Sequence, residues 1–174
     1  GLKVGQAHDV TVKTGVTVIL PDGPARCAVD VRGGGPGTRE TEALGDSNLI
    51  EEIHAVVLAG GSVYGLDAAS AVTAWLGAQR RGFEVAPAPV PVSPIVPSAI
   101  LFDNANGGDK DWGMTSPYRE LALDACGATC GHLGLGSYGA GFGATAGLYV
   151  GGLGSASERV GDVTVHEDGL GRVA

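Results

Sequence analysis

The sequence has few of the residues that carry several common kinds of protein chemistry. Its 174 residues include three cysteines, 5% aromatic residues, and 11 basic against 19 acidic side chains, which gives a formal net charge of −8. Arg80–Arg81 is the only basic cluster, so we expect no nucleic-acid partner. No apolar run reaches the ~18 residues of a transmembrane helix, so we expect no membrane partner either.

The three cysteines, Cys27, Cys126 and Cys130, form no paired framework. Cys126 and Cys130 are four positions apart and would share one face of a helix. Two thiolates with neither a CxxC pattern nor a nearby His-x-His make a poor zinc site. We therefore expect small core-facing residues at these positions, and neither a metal nor another cofactor.

Glycine is the abundant residue, at 31 of 174 positions in a chain that is 44% hydrophobic. The glycines are interleaved with Val, Leu and Ala without a collagen repeat, which predicts tight turns and close backbone packing within one domain, residues 1–174. The chain begins at Gly1 without Met or a signal-peptide pattern, and it ends in strand-like sequence. We expect a processed or incomplete polypeptide, with the cytoplasm as the default location.

The β-type segments are bounded by Pro and Gly. Two β-rich runs around Pro21–Pro24 predict a hairpin, and residues 53–60, IHAVVLAG, are typical of a strand buried on both faces. Residues Ser98 to Asp103 predict a further strand. Residues 162–174 predict a closing hairpin with its turn at Asp168–Gly169.

Two segments have helical patterns. The first runs from residue 63 or 64 to about 79, with Ser62 as its cap, and its apolar positions fall at helical spacing: Leu66, Ala69, Val72, Trp75 and Leu76. The second helix begins behind Ser116 as cap, with Pro117 at its first position. Together the elements predict one layered α/β or α+β domain.

The phosphate-binding and nucleophile motifs are weak or absent. Residues 134–139, GLGSYG, fit GxGxxG, but they follow a helix where that motif requires a strand. Neither GxxxxGK[ST] nor the GxSxG nucleophile elbow occurs. The four histidines are scattered along the chain and indicate no site by themselves.

The turn at Gly60–Gly61 is the most suggestive local feature. A strand, two glycines and a helix start leave free backbone N–H groups at a positive dipole end, and glycine lets a substrate or another backbone approach closely. The Tyr64 hydroxyl beside it is a possible donor to a developing oxyanion. The alternative, which the residues alone favour, is that the Tyr64 ring simply packs in the first helical turn.

Four segments in this order carry a family resemblance: AVDVRGGGPGTRETEAL, AVVLAGGSVYGLDAASAVTAWL, PIVPSAILFD and GLGSAS. Together they resemble the DmpA-like aminopeptidases, the L-aminopeptidase/D-esterase-amidase group that includes the nylon-oligomer hydrolases. The resemblance extends from Gly1 to about Val165, nearly the whole chain.

The resemblance implies an N-terminal-nucleophile hydrolase with a four-layer α/β/β/α sandwich, as in ornithine acetyltransferase. A precursor of this type cleaves itself into α and β chains, and the new N-terminal Ser or Thr of the β chain is the nucleophile. The present chain would be the α-chain portion of an amide or ester hydrolase acting on N-terminal residues of short peptides or amino-acid amides. Its expected partners are the β chain and, in a homo-oligomer, further copies.

The resemblance also assigns site residues. Tyr64 matches the tyrosine of the GG-S-x-Y-G motif and resembles an oxyanion donor, while Gly60, Gly61 and Ser62 of that motif shape the substrate pocket. Arg39 and Glu40 are further candidates, because a carboxylate near the pocket would bind the free α-amine of a substrate. For this pair a loop salt bridge or a cap is an equal alternative.

The chain departs from the family pattern in three places. The run VGALVAVN, whose Asn supplies a second oxyanion contact, is replaced by VTVHEDGLGRVA, and Tyr149 lies in the segment where a Lys is usual. No Ser or Thr has the Gly-Asn-Thr-Thr context of self-cleavage. A catalytically inactive small-molecule-binding or assembly protein of the same fold therefore stays open as an alternative. The fold shared with ornithine acetyltransferase leaves a second alternative, an enzyme that transfers the acyl group to an amine.

Overall fold

A five-stranded mixed sheet is the centre of the computed structural model, which describes residues 1–171 and the side chains through residue 167. Its strands are β1 (Leu2–Asp9), β2 (Thr14–Pro21), β3 (Thr38–Arg39), β4 (Val56–Ala59) and β5 (Ser98–Ile100). The order across the sheet is β1-β2-β4-β5-β3. The β4–β5 pair is parallel and the other pairs are antiparallel.

Two helices cover one face of this sheet. They are α1 (Asp67–Ala78), which a 3-10 helix at Ser62–Leu66 precedes, and α2 (Tyr118–Gly127). Their buried side chains form one cluster with the sheet residues that point the same way, such as Val16, Val18 and Val57. Of the predicted core positions of the first helix, Ala69, Val72 and Leu76 are buried and Leu66 and Trp75 are partly buried, which confirms the helical spacing.

The opposite face of the sheet is also apolar and is covered by the C-terminal part of the chain. Val4, Ile19 and Leu58 pack there against Ala140 and Leu153. This part contains a 3-10 helix (Gly139–Gly141), β6 (Thr145–Ala146), β7 (Tyr149–Val150), β8 (Gly152–Val160) and β9 (Val163–Gly171). Strands β8 and β9 form a separate two-stranded hairpin. The described residues thus give a mixed α+β fold with one layer of helices on one principal sheet.

The buried strand after residue 53 is confirmed, but both predicted hairpins are wrong in detail. Strand β2 pairs along its whole length with β1, from Leu2 opposite Pro21 to Asp9 opposite Thr14. The run after Pro24 forms only a bridge between Ala25 and Ile53, because β1 and β4 already occupy both edges of β2. The strand predicted from Ser98 to Asp103 is present but ends at Ile100.

The turn of the closing hairpin lies earlier in the chain than predicted. Asp168 and Gly169 are inside β9, with Asp168 opposite Ser155. The chain reverses instead at Gly161–Asp162, where Gly161 has a φ of 62°. A glycine that adopts this left-handed conformation is favoured in a tight hairpin turn.

The predicted helix caps are wrong as well. Neither helix nor the 3-10 turn has a side-chain cap hydrogen bond, and the N-cap positions are Gly61 for the 3-10 turn and Pro117 for α2. Ser62 itself has a φ of 54°, so it belongs to the turn and does not cap it.

The two later cysteines have different environments. Cys126 is buried in α2, as expected of a core-facing residue, but Cys130 is exposed. The expectation is wrong for Cys130 because α2 ends at Gly127 and the chain then pairs with β1, where the Val4 N–H donates to the Cys130 carbonyl at 2.8 Å.

Within residues 1–171, no helix combines the length and the apolar content needed to cross a membrane.

The close contact between β1 and α2 depends on Gly5. A Cβ atom added there would lie 1.8 Å from the carbonyl oxygen of Ala125. We expect Gly5→Ala to lower the free energy of unfolding by about 1–3 kcal/mol, because the helix must move away from the strand. Urea denaturation measures this change.

Gly127→Ala is the matched control, since a Cβ atom at this end of α2 meets nothing within 4 Å. Its free energy of unfolding should stay within about 0.5 kcal/mol of the unsubstituted protein. Equal denaturation midpoints for the two variants would contradict the close helix–strand packing.

Candidate active site

The turn after β4 lies on a buried polar cluster, and this contact explains its two glycines. A Cβ atom on Gly60 would lie 2.0 Å from Oδ2 of Asp103, and one on Gly61 would lie 2.0 Å from the ring of Tyr118. Gly61 also has a φ of 80°, which side chains disfavour. Both glycines are therefore required by packing inside the protein.

The carboxylate of Asp103 is the centre of this cluster. Asp103 is 2% exposed. Its Oδ1 accepts the Gly61 N–H at 2.8 Å and lies 3.8 Å from Nζ of Lys110, and its Oδ2 accepts the Thr14 hydroxyl at 2.5 Å. A buried charge is stable only with such partners, and hydrogen bonds to an ionised group are the stronger ones. Asp103 thus ties the start of β2 to the turn after β4.

The hydroxyl groups of Thr14 and Tyr118 extend the cluster towards α2. Their oxygens are 3.2 Å apart, and both side chains are fully buried. Since the single hydroxyl proton of Thr14 goes to Asp103, the Tyr118 hydroxyl must donate to Thr14. Burial raises the pKa of Tyr118 well above its ordinary value, so this donor stays protonated across the physiological range.

Lys110 supplies a cation at the edge of the cluster. Its side chain is 16% exposed, and its Nζ donates to the carbonyl of Val12 at 2.7 Å. Burial lowers the pKa of Lys110, while the charge of Asp103 acts in the opposite direction. The pair therefore places a partly desolvated ammonium close to the Gly61 amide.

The backbone N–H and C=O of Gly61 both have hydrogen-bond partners, so the prediction of free N–H groups at this turn is wrong. Asp103 accepts its N–H, and Nδ2 of Asn104 donates to its carbonyl at 3.3 Å. The next amide, that of Ser62, donates to the Leu101 carbonyl at 2.9 Å. The positive φ of Ser62 is unfavourable for a residue with a side chain, and these bonds hold it in place.

Tyr64 projects from this fixed turn and is 51% exposed. Its ring meets the edge of Trp112 with centroids 5.4 Å apart, and Trp112 meets Tyr118 in the same way at 5.9 Å. The ring is therefore packed, and its hydroxyl has no hydrogen-bond partner among the described residues. A packed ring with an available donor fits both interpretations of Tyr64, so the oxyanion role stays a prediction.

Arg39 and Glu40 have partners elsewhere in the chain. Arg39 donates to Oγ of Ser70 and, at 3.4 Å, to the carbonyl of Leu66, which ends the 3-10 helix carrying Tyr64. The carboxylate of Glu40 accepts the Val96 N–H at 3.0 Å. Neither side chain forms an ion pair with a described residue, and Glu40 makes no side-chain cap hydrogen bond, so these contacts are not the predicted salt bridge or cap. A role in binding a substrate amine stays a prediction.

The residues beneath the turn were not predicted from the sequence. A signal for Asp103 was present, because it closes a predicted strand next to the one that ends at Gly60, and parallel strands end at the same edge of a sheet. Thr14 and Tyr118 gave no signal, since they are 104 positions apart and meet only in the fold. In the described part of the chain, no three His, Cys, Asp or Glu residues are placed to hold a metal ion.

Relatives of known name match most of this chain. The profile of Peptidase family S58 matches residues 1–169. An uncharacterized aminopeptidase of Mycobacterium tuberculosis strain H37Rv is 45% identical over 143 residues, which are 82% of this chain and 40% of that protein. A 6-aminohexanoate-oligomer endohydrolase of a Kocuria species is 34% identical over 177 residues, which are 95% of this chain and 44% of that protein.

A solved structure shares the fold. The crystal structure of a protein from Pyrococcus horikoshii OT3 matches all of this chain and 52% of its own, with a TM-score of 0.72 and 21% sequence identity. The chain thus spans between 40% and 52% of the length of these three proteins.

Removal of the Asp103 carboxylate should destabilise the protein strongly. Asp103→Ala leaves the Gly61 amide, the Thr14 hydroxyl and the Lys110 ammonium without their shared partner. We expect a loss of about 3–5 kcal/mol in the free energy of unfolding, measured by urea denaturation.

Asp67→Ala is the control, because Asp67 forms an exposed ion pair with Arg119 at 3.2 Å. It should cost about 1 kcal/mol or less. If the two variants lose similar amounts, Asp103 is not the anchor of the turn.

Proposed function

Because the chain belongs to peptidase family S58, the DmpA family, we propose that it is the α-chain portion of an amide or ester hydrolase. The enzyme is aminopeptidase-like and acts on the N-terminal residues of short peptides or amino-acid amides. The observation that carries the proposal is the turn anchored by Asp103, which presents on a rigid support a Tyr64 hydroxyl without a hydrogen-bond partner in the described part of the chain. The names of the relatives, an aminopeptidase and an oligomer endohydrolase, are those of hydrolases.

Tyr64 acts on the substrate carbonyl in this proposal. As a nucleophile adds to the carbonyl carbon, negative charge develops on the oxygen, and the Tyr64 O–H donates a hydrogen bond to it. A donor of this kind is effective when it is held in place before the reaction starts. The clamped Gly61 peptide and the Trp112 ring supply that preorganisation, while the Lys110 ammonium adds positive potential behind the turn.

The nucleophile comes from the remainder of a longer polypeptide. In the proposal, a precursor cleaves itself and exposes a Ser or Thr at the start of a β chain, whose amine serves as or near the general base. The relatives are more than twice as long as the matched region, since it covers 40% and 44% of them, and this leaves room for that second chain. Cleavage of an acyl-enzyme by water gives hydrolysis, and the same intermediate would transfer its acyl group to an amine acceptor.

The four-layer sandwich is part of the same proposal. The second sheet and its helices would pack on the face of the main sheet that carries Val4, Ile19 and Leu58. In the described residues, Ala140 and Leu153 pack against this face. A homo-oligomer in the cytoplasm is the expected form of the assembled protein. An inactive binding or assembly protein remains the second candidate, and the lack of the usual Asn and of a Lys in residues 148–150 favours it.

Tyr64→Phe tests the oxyanion role. The substitution keeps the ring contact with Trp112 and removes only the hydroxyl. In the full-length protein, kcat for an amino-acid amide should fall roughly 10²-fold while the unfolding midpoint is unchanged. Tyr138→Phe is the control, because Tyr138 is 54% exposed, similar to Tyr64, and packs near His8 instead. An unchanged kcat for Tyr64→Phe would leave Tyr64 a packing residue.

Self-processing has a direct test on the full-length gene product. Intact-mass measurement and N-terminal sequencing should find two chains, the smaller of which begins with Ser or Thr. A single uncleaved chain would contradict the proposed nucleophile and favour the inactive relative.

A further inference from the structure

A concave feature lies at the other end of β4 from the Gly60–Gly61 turn. It is a cleft of about 450 Å³ beside the segment that leads into β4 and the segment that follows α1. The lining residues that matter here are Ile50, Glu51, Glu52, His54, Phe83 and Glu84. This volume is within the range of small-molecule sites.

The walls of the cleft are irregular in conformation but firmly held. On one side, Ala25 and Ile53 exchange two backbone hydrogen bonds of 3.1 and 2.8 Å. On the other side, Phe83 and Ser93 exchange two of 2.9 and 2.8 Å. Each wall is thus fixed by a reciprocal bridge, so the cleft does not depend on side-chain packing alone.

His54 is the buried polar residue of the cleft, with 6% of its surface exposed. Its backbone N–H donates to the Ile95 carbonyl at 2.9 Å, and its Nδ1 accepts the Ile95 N–H at 3.1 Å. Burial and the nearby charge of Arg81 lower the pKa of His54, while Glu52 opposes this shift. The imidazole is therefore neutral with its proton on Nε2, and Nε2 has no partner among the described residues.

Two of the three acidic side chains of the cleft have no ion-pair partner among the described residues. Glu51 pairs with Arg26 at 3.3 Å, but neither Glu52 nor Glu84 forms an ion pair with a described residue. Phe83 and Ile50 add apolar surface next to these carboxylates. The cleft thus combines negative charge, an apolar wall and one N–H donor, which belongs to a histidine that is itself largely buried.

We propose that this cleft binds a small organic ammonium ion with an apolar side chain and an adjacent oxygen. Glu52 and Glu84 take the ammonium group, Phe83 and Ile50 contact the apolar chain, and Nε2–H of His54 donates to the oxygen. Amino alcohols, amino-acid amides and peptide N-termini share this chemistry. The inference goes beyond the proposed function, since it needs no nucleophile and no contribution from Tyr64.

Leucinol is a suitable probe, because it carries all three groups and cannot be hydrolysed. Titration of leucinol into the isotope-labelled full-length protein should shift the imidazole nitrogen resonances of His54 in a saturable manner. Isohexanol, which lacks the amine, should cause no saturable shift. The double variant Glu52→Gln, Glu84→Gln should bind leucinol roughly tenfold more weakly or worse.

Glu158→Gln is the control variant, as it removes an exposed carboxylate on β8 away from the cleft, and it should bind leucinol like the unsubstituted protein. The proposal is overturned if His54 shows no saturable shift, or if the double variant binds leucinol unchanged. It is equally overturned if the His54 Nε2–H is already protected from exchange in the probe-free protein, because the rest of the polypeptide then fills the cleft. The readout does not use turnover, so loss of the hydrolase proposal leaves this test intact.

Discussion

The buried carboxylate of Asp103 is the constraint on which this end of the molecule depends. A charge that is 2% exposed requires donors, and it finds them in the Gly61 amide, the Thr14 hydroxyl and the Lys110 ammonium. These donors belong to segments far apart in sequence. By satisfying one carboxylate, the chain joins the start of β2, the turn after β4 and the loop after β5, while Tyr118 adds α2 through Thr14.

The same constraint explains the character of the proposed site. Gly60 and Gly61 have no side chains because the carboxylate and the Tyr118 ring already occupy that space. A turn held so closely has little freedom, and its hydrogen bonds leave Ser62 in a left-handed conformation. Under the proposed function this rigidity would matter, since a hydrogen-bond donor stabilises a transition state best when it does not have to be reoriented.

Strand β4 connects two different environments. At its carboxyl end is the rigid turn with a partly desolvated cation behind it, and near its amino end is the acidic cleft with the neutral His54. Both flanking segments are irregular, and both are fixed by backbone hydrogen bonds to neighbouring segments. The strand itself is central in the sheet and buried on both faces, so the two ends are held at a fixed separation.

The sequence by itself determined the features that depend on local periodicity and on motif order. The core positions Ala69, Val72 and Leu76 and the buried strand before Gly60 are confirmed. The resemblance carried by four ordered segments is confirmed by the family profile over residues 1–169. The core positions and the buried strand could be predicted because the spacing of apolar residues reflects burial directly, whatever each segment packs against.

Only the tertiary structure decided which segments pair and which polar groups meet. The run after Pro24 had strand-like composition, yet β1 takes the place beside β2, because pairing depends on competition among segments. Ser62 and Ser116 had cap-like positions, but neither makes a side-chain cap hydrogen bond. Ser62 instead has a left-handed conformation, with its N–H bonded to the Leu101 carbonyl outside the helix. The buried polar cluster of Asp103, Thr14 and Tyr118 likewise depends on the fold. A buried charge needs hydrogen-bond donors, and only the tertiary structure decides which donors lie within reach of it.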